Sequence, residues 1–383
     1  MISHSEGTRN FCGRSARARG LRSSGSTCRG FSMPELMVSL AVLLVVAGAV
    51  VSTISYNVKT SGHTAQQTDM YENVRAVAEL MAQEIGQAGI VDLPGGGYSG
   101  ATLSGAVTFN STTATTVAVS STTSMYVGEI LLVDTAVREE PVTLTAVTST
   151  SISATSDLSG PYVAHPSGAP IHAIGVSPNG IVAPSSSATT SGSVPCVTVP
   201  SGVTYTSSAT TPSTCSVLNL WGDLNSDGTL VYVRYTCNTP TTAGATTTPG
   251  TLTRSVTTIT PGINTVSTSQ TLLSTLIQNP PNKALASPLN TQQSPCFQYD
   301  LSTQQITVTV NGVATTSTYY MIANVGLTIS VQSLRPDPAT GQRLTMTKSF
   351  LDLSPRNILA GYEQANWGDP TRLQPYPPNV TSY

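Results

Sequence analysis

The feature that most constrains this chain is an uncharged apolar run that starts directly after a carboxylate. Residues Leu36 to Val51 carry no charge, and the apolar character continues weakly to Ile54. A helix from Phe31 to Ile54, at about 1.5 Å a residue, would reach about 36 Å and could cross a bilayer. Glu35 stands at the start of the run, where a carboxylate in lipid costs roughly 2.5–3.5 kcal/mol. The position of this acid therefore needs an explanation.

Charges on the two sides of the run predict its orientation. Residues 1–30 hold six arginines and one acid, and without them the chain is mildly acidic. Positive residues stay on the cytoplasmic side of a membrane. We therefore expect a single membrane pass, with the N-terminus in the cytoplasm and the body exported. A body without a basic stripe argues against nucleic-acid binding.

Three hypotheses account for the N-terminal segment. The first is an ordinary secretory signal peptide, with "AGA" (Ala47–Ala49) as its cleavage site. The second is a signal anchor that is never cleaved. The third is based on "GFSMPE" (residues 30–35), which resembles the class III leader of type IV pilins and type II secretion pseudopilins. A lipoprotein is excluded, because neither leader cysteine follows an apolar lipobox.

The pilin resemblance explains the acid that the other two hypotheses leave unexplained. It implies that a prepilin peptidase cleaves after Gly30 and methylates the new amino group of Phe31. It also implies that Glu35, favoured by the helix dipole, pairs with the amino terminus of a neighbouring subunit. Pro34 departs from the family, which has Ile or Leu there. Proline is tolerated in a first helical turn, so we expect processing to survive.

A second helical stretch follows, because apolar residues recur at steps of three and four over residues 65–90. The stripe consists of Met70, Val74, Val77, Met81, Ile85 and Ala88. Ser61-Gly62 predicts a kink before it. "YENVRAVAELMAQEIGQAGI" (residues 71–90) resembles the segment that PilW-type minor pilins and J-type minor pseudopilins carry here. The alternative is that any amphipathic helix shows this pattern.

The sequence of the body predicts an antiparallel sheet, because short β-prone runs alternate with Ser, Thr, Gly and Pro clusters roughly every 8–12 residues. The predicted fold class is α+β, with the long helix packed on an antiparallel β-sheet domain that carries β-rich insertions. The expected domains are a cleaved basic leader (1–30), the helix (31–90, with 31–54 in the membrane or filament core), a pilin-like β-domain (91–357) with an inserted β-meander at about 100–180, and a Pro-rich extended tail (358–383). Residues 326–357 again resemble PilW-type proteins.

Four cysteines lie in the body, and none of them has the C-x-x-C spacing of a metal site. They suit disulfide bonds in an oxidising compartment. Three pairings exist. We favour Cys237 with Cys296 and Cys196 with Cys215, because Cys237 ends a strand-like run and Cys296 begins another.

One loop has the spacing of calcium ligands. In "DLNSDGTL", Asp223, Asn225 and Asp227 stand at alternate positions before Gly228, as in calcium loops of the D-x-[DN]-x-D-G kind. The twelfth position holds Arg234, which excludes an EF-hand. A simpler calcium loop and an Asx-rich turn without an ion both remain open. No other cofactor is expected.

We find no catalytic residues in the sequence. "GYSGA" (residues 97–101) misses the G-x-S-x-G nucleophile elbow and follows no apolar strand. His165 and His172 have no nearby cysteines or acid pair, so we expect surface histidines rather than metal ligands. The sequence therefore predicts a protein that is not an enzyme.

The function that these observations favour is that of a PilW-like minor type IV pilin. It would be assembled into a pilus, or at its tip, in assembly priming, adhesion or motility. Its partners would be prepilin peptidase, other major and minor pilins, the inner-membrane assembly platform and, before assembly, the membrane. The alternatives are a J-like minor pseudopilin of a type II secretion system and, in another class, a secreted hydrolase or binding protein with an ordinary signal peptide.

Overall fold

The computed structural model describes residues 32–92, 101–173, 175–182, 184, 195–201, 203, 215–240, 249–259, 268–281, 283, 292–310, 313–367, 372–375 and 377. The chain forms two compact units, residues 1–58 and residues 59–383. Its elements, in chain order, are α1 (Met33–Gln87), β1 (Ile90–Asp92), β2 (Val107–Thr108), β3 (Thr115–Ala118), β4 (Ile130–Val133), a 3-10 turn (Ala136–Arg138), β5 (Glu140–Val147), β6 (Ser151–Ser156), β7 (Ala164–His165), β8 (Ile171–Ala173), β9 (Gly175–Val176), β10 (Ile181–Val182), β11 (Val197–Thr198), β12 (Val217–Gly222), β13 (Val231–Asn238), β14 (Gly250–Thr258), β15 (Thr268–Leu276), β16 (Phe297–Val310), β17 (Val313–Gln332), β18 (Thr345–Leu353) and α2 (Arg356–Asn366).

Helix α1 continues through the position of the predicted kink. Ser61 and Gly62 are both helical, and the helical assignment continues through them without interruption. A Cβ on Gly62 would lie 3.1 Å from the Pro338 side chain. Glycine at this position therefore allows a loop of the β-domain to approach the helix closely.

A nine-stranded sheet forms the centre of the second unit. Its order is β10-β12-β13-β14-β15-β17-β16-β11, with β18 paired to β17. All neighbours are antiparallel except β11 and β16. The apolar stripe of α1 is buried in one core with residues of this sheet, because a helix with apolar residues at steps of three and four has one face to bury. The predicted fold class, a long helix followed by antiparallel β-sheet, is confirmed.

A five-stranded sheet, in the order β3-β6-β5-β4-β8, lies within the segment where the sequence predicts an inserted meander. Its core includes Trp221 and Tyr232 from β12 and β13, whereas their neighbours Leu220 and Val233 belong to the core around α1. Side chains alternate between the two faces of a strand. These two strands are therefore buried on both faces, between the helix and the inserted sheet.

The C-terminal segment corrects the prediction of an extended tail, since residues 356–366 form helix α2. Ile358, Tyr362 and Ala365 are buried, and their helical spacing supplies the reason. Farther on, the Gln374 side chain accepts a hydrogen bond from the Ile130 N–H and donates one to the Ile130 carbonyl, each at 2.9 Å. The Gln374 backbone N–H donates to Val176 at 2.8 Å. This short stretch therefore ties β4 to β9.

Both favoured disulfide pairings are present. Cys196 pairs with Cys215, with their Cα atoms 5.5 Å apart, and Cys237 pairs with Cys296, with their Cα atoms 6.5 Å apart. All four cysteines are buried. The second bond joins the end of β13 to the start of β16, as the position of these residues next to strand-like runs indicates.

Candidate assembly site at the start of the long helix

The start of α1 places Glu35 in the first helical turn. Ser32 precedes the helix, and its carbonyl accepts hydrogen bonds from the N–H groups of Glu35 at 3.0 Å and Leu36 at 3.1 Å. The Glu35 carboxylate turns back towards Ser32, whose backbone N–H lies 3.4 Å from Oε2 and whose hydroxyl lies 3.3 Å from the same oxygen. A glutamate three residues after a serine has the spacing of a capping box, and the contact of the Glu35 carboxylate with the Ser32 N–H is the glutamate's half of it. Glu35 is therefore part of the signal that starts the helix.

The same geometry accounts for Pro34. It is the second residue of α1, where a backbone N–H has no partner within the helix. Proline therefore removes no hydrogen bond at this position. The departure from the pilin pattern is compatible with a regular helix start.

After Glu35 the helix presents a continuous apolar surface. The most apolar window of α1 is entirely exposed, and the helix is long and apolar enough to cross a membrane. The exposed large side chains of this unit are Met33, Leu36, Met37, Val38, Leu40, Val42, Leu43, Leu44, Val45, Val46, Val50, Val51, Ile54, Tyr56 and Val58. An exposed apolar surface of this extent marks a site for lipid or a protein partner.

Comparison with known families agrees with this site. Residues 25–51 match the model of the prokaryotic N-terminal methylation motif. The matched segment contains Gly30, Phe31 and Glu35, and it supports a leader of the type IV pilin kind. Together with the exposed apolar helix, it fits membrane anchoring and pilus assembly. No curated protein and no solved structure matches the chain. Gly30 and Phe31 lie outside the described residues.

The predicted calcium loop forms a tight turn. Asp223 is buried, and its carboxylate accepts the backbone N–H groups of Asp227 and Gly228, each at 3.0 Å. The Asp227 carboxylate accepts the N–H of Thr229 at 2.9 Å. Ser226 and Gly228 have positive φ angles of 55° and 80°. The Asp227 bond, which reaches two residues ahead, is that of an Asx turn, and Asn225 is exposed.

His165 corrects the expectation of a surface histidine, since it is only 1 % exposed. Its Nε2 lies 2.9 Å from a Glu140 carboxylate oxygen, and its Nδ1 lies 3.4 Å from one of Asp134. The Ser156 hydroxyl donates to the other Glu140 oxygen. This polar cluster links β5, β6 and β7 with the end of β4. Among the described residues, no group of three or more His, Cys, Asp or Glu side chains could hold a metal ion.

One acid of α1 has a role that the sequence did not indicate. Glu84 is only 4 % exposed. It accepts hydrogen bonds from Arg254 on β14 and from the Tyr235 hydroxyl on β13. Burial acts to lower the pKa of Arg254, but the hydrogen bond and charge of Glu84 raise it above its ordinary value. Burial and the Glu84 charge raise the pKa of Tyr235. This triad attaches the end of α1 to the sheet.

A second polar contact of α1 lies closer to the N-terminus of the helix than Glu84. His63 Nδ1 is 3.2 Å from a carboxylate oxygen of Asp337, in the connection between β17 and β18. Asp337 also accepts the Ala339 N–H at 3.1 Å and the Thr340 hydroxyl at 2.8 Å. Burial acts to raise the pKa of Asp337, but these bonds and His63 lower it below its ordinary value. The two acidic contacts, at Glu84 and Asp337, lie near opposite ends of the part of α1 that packs on the sheet.

Proposed function

We propose that this chain is a minor type IV pilin of the PilW kind. A prepilin peptidase cleaves it after Gly30 and methylates Phe31. The processed subunit remains in the inner membrane before assembly, with its N-terminus towards the cytoplasm and its β-domain in the periplasm. The assembly platform inserts it among other major and minor pilins, where its body primes assembly or serves adhesion or motility.

The observation that carries this proposal is the methylation motif at residues 25–51, which includes the start of an exposed apolar helix that is followed in the chain by a β-domain. A subunit built in this way can use one helix twice, first as a membrane anchor and then as part of a filament core. Glu35 explains why the subunit moves from the membrane into the filament. A carboxylate at the membrane surface gains an opposite charge when the amine of a neighbouring subunit meets it, and a paired charge is less costly to bury.

The proposal is tested by following the protein in cells with and without prepilin peptidase. We expect the chain to appear in sheared surface filaments of peptidase-positive cells and to stay in the membrane fraction of peptidase-negative cells. Release as a soluble secreted protein from both strains would overturn the proposal in favour of an ordinary signal peptide. A deletion that blocks protein secretion and leaves pili intact would instead assign the chain to a type II secretion system.

A further inference from the structure

We infer that the inserted sheet contains a pH-sensitive switch at His165. The doubly protonated ring of His165, placed between the carboxylates of Asp134 and Glu140, holds strand β7 in place, and loss of a ring proton in alkaline medium releases the strand. The inference goes beyond the proposed function and does not depend on it, since it concerns the stability of the inserted sheet alone.

Both ring nitrogens of His165 face a carboxylate. Nε2 lies 2.9 Å from a Glu140 oxygen, and Nδ1 lies 3.4 Å from an Asp134 oxygen. A neutral imidazole has one N–H and can donate at only one of these contacts, so the other contact would place a nitrogen lone pair against an oxygen. An imidazolium donates at both contacts and supplies the opposite charge. The geometry therefore calls for one proton more than a neutral histidine and two ionised acids contain.

Burial makes this extra proton necessary. The side chains of His165 and Glu140 are fully buried, and that of Asp134 is 11 % exposed. A buried carboxylate is costly unless a positive charge is paired with it. The ion pairs that these two acids form with described residues are both with His165. A neutral ring would leave two carboxylates in the interior without a cation.

The other titratable groups around Glu140 do not supply this charge. Asp157, after β6, and Tyr162, before β7, both interact with the Glu140 charge. Burial and that charge raise the pKa of Asp157. Arg138 and Glu139 precede Glu140 in the chain and are exposed. His165 is therefore the cation of this buried cluster.

Strand β7 is the element that depends most on the charged ring. It consists of Ala164 and His165, which pair with Thr108 and Val107 of β2 in a sheet of two strands. Such a pair is marginal by itself, so the contacts of His165 supply much of what holds β7. When the ring loses a proton, displacement of β7 lets water reach the two carboxylates.

Proton binding determines the sign of the pH effect. A histidine in an unfolded chain loses its proton near pH ~6.5. Above that pH, the closed cluster binds one proton more than the open segment does. The stabilisation of β7 is therefore complete at lower pH and decreases as the pH rises, and the equilibrium constant for opening grows about tenfold for each pH unit.

Hydrogen exchange of the full chain in detergent tests this dependence. Mass spectrometry follows peptides that contain β7 from about pH 6 to about pH 9, on both sides of the ordinary histidine value, and each rate is divided by the intrinsic rate of the same peptide. Peptides from β13 serve as an internal reference. The variants are Asp134→Asn/Glu140→Gln, which removes both acids, and His172→Gln as the matched control, since His172 lies on β8.

We expect the protection of β7 to fall up to tenfold for each pH unit in the wild type and in His172→Gln, and to stay constant in β13. The double variant should show no such slope at β7. A flat profile of β7 in the wild type, or an equal slope in the double variant, would overturn the inference.

A second measurement needs no variant of the cluster, so it remains decisive if the double variant does not fold. Nuclear magnetic resonance of protein with ¹⁵N-labelled histidine reports the protonation of each ring, and substitution of the other three histidines assigns the signals. At about pH 8, where an ordinary histidine is neutral, we expect His165 to carry protons on both nitrogens. A neutral His165 ring at this pH would overturn the inference.

Discussion

Arg254 donates hydrogen bonds from Nε to both carboxylate oxygens of Glu84, at 3.0 and 3.3 Å, although the two residues are 170 positions apart in the chain. Glu84 lies in the last turns of α1 and Arg254 in β14. The pair therefore attaches the helix to the sheet by charge as well as by apolar packing.

Replacing Glu84 should destabilise the β-domain. Glu84→Gln leaves the Arg254 charge half-buried without its partner, and breaking a buried pair in this way costs about 3 kcal/mol. Chemical denaturation of the purified protein measures the loss. Glu79→Gln is the control, because Glu79 is exposed and pairs with Arg75 one turn away, where an ion pair contributes less than about 1 kcal/mol. Equal stability of the two variants would show that the Glu84 pair does not attach the helix.

Asp337 should make stability depend on acid pH. Its pKa is lowered in the folded protein, so its contribution to stability is present above the ordinary value of 3.8 and is lost as the pH falls through the lower folded value. We expect Asp337→Asn to be less stable than the wild type at neutral pH and to show a shallower loss of stability below pH 3.8. Urea unfolding at a series of pH values measures this. Asp352→Asn, at an exposed position of β18, should follow the wild type. A parallel pH profile for Asp337→Asn would refute the role of the carboxylate.

The two disulfide bonds should differ in their contributions to stability. Cys237–Cys296 closes a separation of 59 residues and Cys196–Cys215 one of 19. Loop-closure entropy then predicts that removing the first bond lowers the free energy of unfolding by about 4 kcal/mol, and that removing the second lowers it by about 3 kcal/mol. Double Cys→Ser variants of each pair, compared by denaturation under oxidising conditions, test the order. A larger loss from the shorter loop would contradict the prediction.

The turn at Asp223 should be stabilised by its own hydrogen bonds. Asp223→Ala leaves two backbone N–H groups without their acceptor, so we expect the free energy of unfolding to fall by about 2 kcal/mol. This decrease should be the same with and without added Ca²⁺. Thermal melting of the wild type should likewise be unchanged by a chelator. A melting midpoint that falls with chelator in the wild type, and no longer does so in Asp223→Ala, would instead establish the calcium site.

The sequence predictions that the structure confirms were based on local patterns. The apolar stripe from Met70 to Ala88 and the short β-prone runs can be recognised from neighbouring residues alone, and the favoured cysteine pairs followed from strand-like runs beside Cys237 and Cys296. Helix α2 also had a local signal, the spacing of Ile358, Tyr362 and Ala365, which the prolines of the tail obscured.

The contacts that sequence reasoning missed depend on residues far apart in the chain. Nothing near Gly62 indicates that Pro338 packs against it. His165 is buried only because Asp134 and Glu140 converge on it from other strands, and Glu84 meets Arg254 only after the sheet has formed. Single-sequence reasoning has no access to such contacts, since they depend on topology and not on local periodicity.

The central claim is that this chain is cleaved and methylated as a prepilin. Mass spectrometry of the mature N-terminus, on protein from the membranes of the cells that produce it, tests this claim most directly. The account predicts an N-terminal peptide that begins with methylated Phe31. A mature protein that begins at Val50, or one that keeps Met1 and the leader, would contradict it.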